Sequence, residues 1–176
     1  DEAFDAGVAA YADWKSGNIG ITSERVTLKD YLASWLENVA RPNVKRTTYV
    51  NYQSAIEKRI VPYLGNHVIQ ELRPRHVDEW LKTLAKNGMS RGTIQQTKTV
   101  LSTALKYAIY PAELIASNPS TGLSIPRSAP KQIIKRTVIT PEQFAALFQD
   151  SKYRPVLKLL YHTGMRISEA LGLTWN

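Results

Sequence analysis

The sequence predicts an all-α protein built around a bundle of four to five helices. Between residues 27 and 110, apolar side chains recur every three or four positions, which is the period of an amphipathic helix. Proline or glycine separates one such segment from the next, and no stretch alternates apolar and polar residues as a half-buried strand does. Hydrophobic residues make up 43% of the 176 positions, which is enough for a packed core.

The first two helices of the bundle have recognisable ends. Thr27 precedes an apolar segment and lies three residues before Asp30, which is a variant of the capping box. The second helix begins near Arg46, and we expect Pro62 to end it near Ile60, because proline has no N–H for the helical hydrogen bond. Their predicted buried faces are Leu28, Tyr31, Leu32, Trp35 and Leu36, and Tyr49, Tyr52, Gln53, Ile56 and Ile60.

The third and fourth helices follow with short connections. Pro74 suits the first turn of the third helix, and Gly88 suits its C-terminus. The fourth helix begins at Ser90 and stops at Pro111. Their predicted buried faces are Val77, Trp80, Leu81 and Leu84, and Ile94, Thr97, Leu101, Ala104, Leu105 and Ala108.

Segments of different composition flank the bundle and divide the chain. In residues 1–26 the apolar spacing predicts a helix over 2–15 followed by a glycine-containing connection, and we expect the bundle to occupy 27–118. Residues 119–137 hold three prolines and four basic residues, so we expect an extended basic linker that proteases cut first. Residues 138–176 form short helices capped by Thr140 and Gly164, too few to bury a core alone.

The net charge is +8, and most of it lies in the middle of the chain. Residues 27–118 carry thirteen basic and seven acidic groups, and residues 119–137 carry four basic groups and no acidic one. A positive field of this kind attracts polyanions, most often nucleic acid. A solvated basic surface that aids solubility is the alternative, and charge alone does not decide between them.

Several classes of site are excluded or disfavoured by composition. The absence of cysteine excludes disulfides and thiolate metal sites. No apolar run reaches the roughly 18 residues of a membrane span, and the acidic N-terminal segment lacks the basic region of a signal peptide. We therefore expect a cytoplasmic protein with no membrane partner.

Two helix starts carry the polar and basic side chains that duplex DNA requires. Short polar residues with arginine or lysine on an outer face can reach base edges and phosphates, and a helix N-terminus favours phosphate through its dipole. The alternative is that these polar faces contact only water and do not bind DNA. The candidates at the second helix are Lys45, Arg46, Thr47 and Thr48, and those at the fourth are Ser90, Arg91, Thr93, Gln95, Gln96 and Lys98.

The last stretch, "HTGMRISEALGLTW", places Arg166 directly after a glycine turn and three residues before Glu169. On spacing alone, this is a surface pair on one helix face that contributes little stability. Together with "YLASWL", "YLGNHVIQEL" and the "NP" before the linker, however, the stretch resembles the tyrosine recombinases of the lambda-integrase type over residues 27–176. The family's first catalytic box usually has leucine where Met165 stands here, which is a volume-conserving replacement.

The resemblance implies a core-binding domain of the SAM-like bundle type, followed by the start of a mixed α/β catalytic domain. It implies that Arg166 contacts the scissile phosphate, with Glu169 supporting it, and that Arg127, Lys131, Lys135 and Arg136 contact DNA phosphates. The family cleaves through a 3′-phosphotyrosine without ATP or metal, and it acts as a tetramer of protomers on duplex DNA. The resemblance therefore implies no cofactor and no small-molecule substrate.

The resemblance also implies which catalytic residues this chain lacks and what residues 1–15 belong to. The family's lysine, His-x-x-Arg box and tyrosine nucleophile lie downstream of the first arginine, so we expect this chain to be an internal fragment of a longer recombinase. Residues 1–15 would then be the end of an arm-binding domain. A helical DNA-binding regulator without catalysis is the alternative, as is a basic module that binds protein or anionic surfaces.

Overall fold

The structure is a computed structural model that describes residues 25–131, 137–148 and 152–174. It divides into two compact units, with the boundary after Gln132. The predicted helix over residues 2–15 and two of the predicted phosphate contacts, Lys135 and Arg136, lie outside the described residues.

Four helical rods form the bundle in the described part of the first unit, residues 25–131, as the sequence predicts. Two π-helical turns, Leu36–Ala40 and Ile56–Ile60, join α segments without a break, so the rods run over 28–43, 46–64, 74–86 and 91–109. Between residues 27 and 110 the structure has no strand, only an isolated antiparallel bridge between Thr27 and Val68. The segments are α1 (Leu28–Trp35), α2 (Arg41–Asn43), α3 (Arg46–Ala55), α4 (Val61–Leu64), α5 (Pro74–Lys86) and α6 (Arg91–Ile109).

The prediction that Pro62 ends the second rod near Ile60 is wrong. The N–H of Val61 donates to the carbonyl of Ile56, five residues back, and the helix continues to Leu64. The wider turn starts a new α segment with Pro62 at its beginning. Proline is tolerated in a first helical turn because its missing N–H has no partner there.

The core consists of the faces that the four rods turn toward one another. Three buried or half-buried polar contacts connect the rods. The Tyr31 hydroxyl donates to the carbonyl of Ala104 at 2.6 Å, the Trp80 indole donates to the carbonyl of Arg59 at 2.7 Å, and the Arg59 guanidinium donates to the hydroxyl of Thr97 at 3.4 Å. Burial raises the pKa of the Tyr31 phenol, which keeps it a neutral donor. The predicted faces are buried except for Tyr49, Tyr52 and Gln53, which are half-buried.

Residues just after the bundle are fixed to α6 by one asparagine. The side-chain amide of Asn118 donates to the carbonyl and the hydroxyl of Ser102, both at 3.1 Å. Its carbonyl accepts from the backbone N–H and the hydroxyl of Ser120 at 2.9 and 2.7 Å, and Ser120 is buried. One side chain therefore satisfies four polar groups and sets the direction of the chain as it leaves the bundle.

The following residues, 119–131, remain against the bundle, and we call them the docked segment. Ile125 and Ala129 are buried in the core, and the N–H of Arg91 donates to the carbonyl of Pro130 at 2.8 Å. The expectation of an extended linker from residue 119 is therefore wrong for this part. Proline and glycine content suggested a spacer, but two apolar residues four positions apart give this stretch a face to bury.

Replacing Asn118 by alanine should lower the free energy of unfolding by about 1–3 kcal/mol, because the buried amide and hydroxyl of Ser120 then lack an acceptor. Urea unfolding followed by the fluorescence of the buried Trp35 and Trp80 measures this change. Asn66→Ala, at an exposed turn position, is the control. Equal stability of the two variants would show that Asn118 does not hold the docked segment.

The described residues of the second unit form three short helices: α7 (Pro141–Phe148), α8 (Arg154–Thr163) and α9 (Ile167–Leu171). Thr140 caps α7 as predicted, with its hydroxyl accepting from the N–H of Gln143 at 3.3 Å. Phe144 stacks on Tyr161 with ring centroids 4.4 Å apart. No helix of the described ranges in either unit has the length and apolar character needed to cross a membrane.

Candidate nucleic-acid interface

The N-terminus of α3 presents an open, positively charged helix end. Lys45 occupies the N-cap position with extended backbone, and no side chain accepts from the first-turn N–H groups. The side chains of Lys45, Arg46 and Thr47 are exposed, Thr48 is half-buried, and the first turn has no acidic residue. Free N–H groups and two cations at one helix end suit a phosphate.

A polar network beside this end connects α3 to the first rod. The hydroxyl of Tyr49 donates to the Glu37 carboxylate, which also pairs with the Arg41 guanidinium at 2.7 Å. The hydrogen bond from Tyr49 lowers the pKa of Glu37, and that from Arg41 lowers it further. Tyr49 is thus a polar link between the first two rods rather than the fully buried core residue that its spacing suggested.

The candidates at the start of α6 divide into two groups. Ser90 and Thr93 serve the helix itself, since the Ser90 hydroxyl accepts from the N–H of Thr93 at 3.2 Å and contacts its hydroxyl at 2.9 Å. The Lys98 ammonium donates to the carbonyl of Leu123 in the docked segment. The exposed side chains of Gln95 and Gln96 project outward, so these two are the candidates best placed to contact bases.

A groove between α6 and the docked segment contains polar residues that sequence reasoning missed. Its volume is about 330 Å³, and neither a carboxylate nor a large apolar side chain lines it. The spacing of polar residues along the exposed face of α6, at positions 95, 99, 102 and 106, is a signal that would have indicated it. The lining residues are Gln95, Lys98, Thr99, Ser102, Thr103, Lys106, Ser120, Thr121 and Gly122.

The docked segment brings two cations to this unit. Arg127 and Lys131 are exposed, and neither belongs to an ion pair within the described part of the chain. Because the backbone around them is held by Ile125, Ala129 and the Pro130 carbonyl, the two charges have defined positions rather than those of a free chain.

In the second unit, Arg166 lies at the start of α9. Gly164 ends α8 with φ of 68°, a left-handed conformation that glycine adopts without strain, and its N–H donates to the carbonyl of Leu160 at 2.9 Å. Arg166 is then the N-cap of α9. This turn leaves 83% of its side chain exposed.

Glu169 contacts both the backbone and the side chain of Arg166. One carboxylate oxygen accepts from the Arg166 backbone N–H at 2.8 Å, and the other pairs with its guanidinium at 3.0 Å. The backbone hydrogen bond lowers the pKa of Glu169 most, and the guanidinium lowers it further. The guanidinium uses one N–H group in this pair, so its other N–H groups remain available to an anion.

His162, which we leave out of the site, lies edge-on against Tyr161 with centroids 5.4 Å apart. Within residues 25–131, 137–148 and 152–174, no three acidic or histidine side chains form a cluster that could hold a metal ion.

Sequence comparison relates this arrangement to known proteins. A family model described as the phage integrase N-terminal SAM-like domain matches residues 27–85. A XerC-like tyrosine recombinase from Caldanaerobacter subterraneus is 26% identical over 174 residues, covering 94% of this chain and 44% of that protein. Over most of its length, the chain is similar in sequence to the tyrosine recombinases.

Other integrases agree with this relationship. An integrase from Saccharopolyspora erythraea is 26% identical over 164 residues, covering 91% of this chain and 37% of that protein. The structure of the Tn1549 transposon integrase in complex with transposon right end DNA matches with a TM-score of 0.66 and 26% identity, covering 85% of this chain and 48% of that one. The chain spans less than half the length of the curated recombinases it matches.

Proposed function

We propose that this chain supplies the duplex-DNA-binding region and the first phosphate-binding arginine of a site-specific recombinase or integrase. One observation carries the proposal: an exposed arginine, capped by Glu169, follows in the chain a bundle whose sequence and fold are similar to those of integrases. The reaction is DNA breakage and rejoining through a 3′-phosphotyrosine, and it serves a mobile element. Its partners are duplex DNA and other protomers in a tetramer, and its compartment is the cytoplasm.

Within the bundle, we assign base contacts and phosphate contacts to different elements. Gln95 and Gln96 are exposed on α6, and a glutamine amide can pair bidentately with adenine. Among residues 25–131, 137–148 and 152–174, the cations at the N-terminus of α3 and in the docked segment have no carboxylate in an ion pair with them, and they suit backbone phosphates. Phosphate contacts position a protein on DNA, whereas contacts with base edges select the sequence.

Arg166 acts in the chemical step in this proposal. A phosphoryl transition state carries more charge on its oxygens than the ground state, and a planar guanidinium can donate two parallel hydrogen bonds to it. Glu169 leaves the outer N–H groups free while restricting the rotation of the side chain. We assign no nucleophile among the described residues, and the reacting tyrosine and second arginine belong to the rest of the family's catalytic domain.

The proposal is tested by titrating duplex DNA with the 176-residue chain at several salt concentrations. Counterion release predicts an affinity that falls by roughly 10² or more between 50 and 200 mM salt if about four to six phosphates are contacted. Arg127→Ala with Lys131→Ala should weaken binding equally on all duplexes, whereas Gln95→Ala should change the preference among them.

Two outcomes would contradict parts of this proposal. Salt-tolerant binding, or no binding at 50 mM salt, would favour the alternative of a module that meets protein surfaces. Altered preference in the docked-segment variant, together with unaltered preference in the Gln95 variant, would show that the assigned roles are reversed. A regulator without catalysis would bind DNA in the same way, but it has no use for the Arg166–Glu169 pair.

A further inference from the structure

The groove between α6 and the docked segment has the chemistry of an anion site. Two lysines, five hydroxyl side chains, one amide and one glycine line its volume of about 330 Å³. The absence of a carboxylate from this lining matters, because an acidic group would repel an anion at short range. The site thus differs from an ordinary polar surface, on which both signs of charge are mixed.

Hydrogen bonding within the groove shows which donors remain available. The hydroxyls of Thr99 and Thr103 donate to carbonyls one turn back on α6, both at 2.9 Å, and the Lys98 ammonium is held by the Leu123 carbonyl. By contrast, no hydrogen bond or ion pair engages the exposed ammonium of Lys106 or the exposed hydroxyl of Thr121 within the described ranges.

The backbone adds a further donor on the opposite wall. Gly122 has φ of 76°, and its N–H makes no hydrogen bond among the described residues. A residue with a side chain could not adopt this backbone conformation without strain, whereas glycine does so freely. The bonds of Asn118 to Ser102 and Ser120 fix the turn that carries Gly122 to α6, so this wall is held before any ligand arrives.

We infer that this groove binds one backbone phosphate of duplex DNA, with Lys106 as its charge and with Thr121 and the Gly122 N–H as hydrogen-bond donors. The inference rests on the proposed function and deepens it by adding a contact that the sequence motifs do not include. Since the groove lies along the same α6 that presents Gln95, a phosphate held here would fix the register of that helix on the DNA.

The test compares Lys106→Ala with Lys86→Ala, an exposed lysine of α5 outside the groove. Fluorescence anisotropy with two duplexes of unrelated sequence, at 50 to 200 mM salt, should show Lys106→Ala weaker by roughly 3- to 10-fold on both. Its salt slope should be smaller by about 0.9, as for one lost phosphate contact. Lys106→Arg should retain most of the affinity, and Thr121→Val should lose a smaller part of it.

The outcomes separate this inference from the proposed function. If the unaltered chain binds duplex DNA with a steep salt slope but Lys106→Ala behaves like Lys86→Ala, the groove is not a phosphate site and the proposed function stands. A Lys106→Ala effect on one duplex only would also overturn the inference, because it would indicate a base contact. Failure of the unaltered chain to bind would overturn the proposed function and the inference with it.

Discussion

Arg166→Ala is expected to lower the rate of DNA strand cleavage by a factor on the order of 10² or more in a recombinase that carries this segment within a complete catalytic domain. The loss is large because the guanidinium donates to charge that develops in the transition state. Binding of intact duplex should change little, since the exposed side chain makes one local pair, with Glu169. Single-turnover cleavage of a nicked substrate measures the rate.

Two further variants make this result specific to the guanidinium. Arg166→Lys should also be slow, because an ammonium cannot reproduce the planar two-point contact with phosphate oxygens. Lys158→Ala, which removes an exposed cation from α8, should cleave at the normal rate. Normal cleavage by Arg166→Ala would remove this residue from the chemical step.

The double variant Lys45→Glu with Arg46→Glu should weaken duplex binding by a factor on the order of 10² at about 0.1 M salt, since two phosphate contacts are lost. The two glutamates would also place negative charge at a helix end that now has no acidic residue. Anisotropy with a labelled duplex measures the change, and circular dichroism checks that the helices persist.

The control for this charge reversal changes net charge by the same amount elsewhere. Lys29→Glu with Lys86→Glu alters exposed positions on α1 and α5, outside the N-terminus of α3, the exposed face of α6 and the docked segment. Its affinity should fall by much less. Equal losses in the two double variants would mean that overall charge, rather than a defined face, governs DNA binding.

The bundle could be predicted from sequence because its determinants are local. Apolar spacing and end residues such as Thr27, Ser90 and Gly88 define each rod, and the core follows when those faces meet. The Pro62 prediction failed for a reason that is not local. A π-helical turn before the proline places it in a first helical turn, and that turn is set by packing between rods.

The candidate site was predictable where a motif is contiguous, and much less so where it depends on tertiary packing. Arg166 and Glu169 are three residues apart, so one helical turn brings them together. Lys98 was predicted to face DNA, but its ammonium bonds to Leu123, 25 positions away in the chain. The groove at Lys106 depends equally on the return of the docked segment, which proline and glycine content had suggested was a spacer.

The central claim is that the N-terminus of α3, the exposed side of α6 and the docked segment of the first unit bind duplex DNA. Amide chemical shifts of the ¹⁵N-labelled chain, recorded with and without a duplex at about 50 mM salt, test it most directly. We expect the largest changes at residues 45–48, 91–106 and 120–131, with α5 unaffected. Changes concentrated on α5, or no changes in these three segments, would contradict the account.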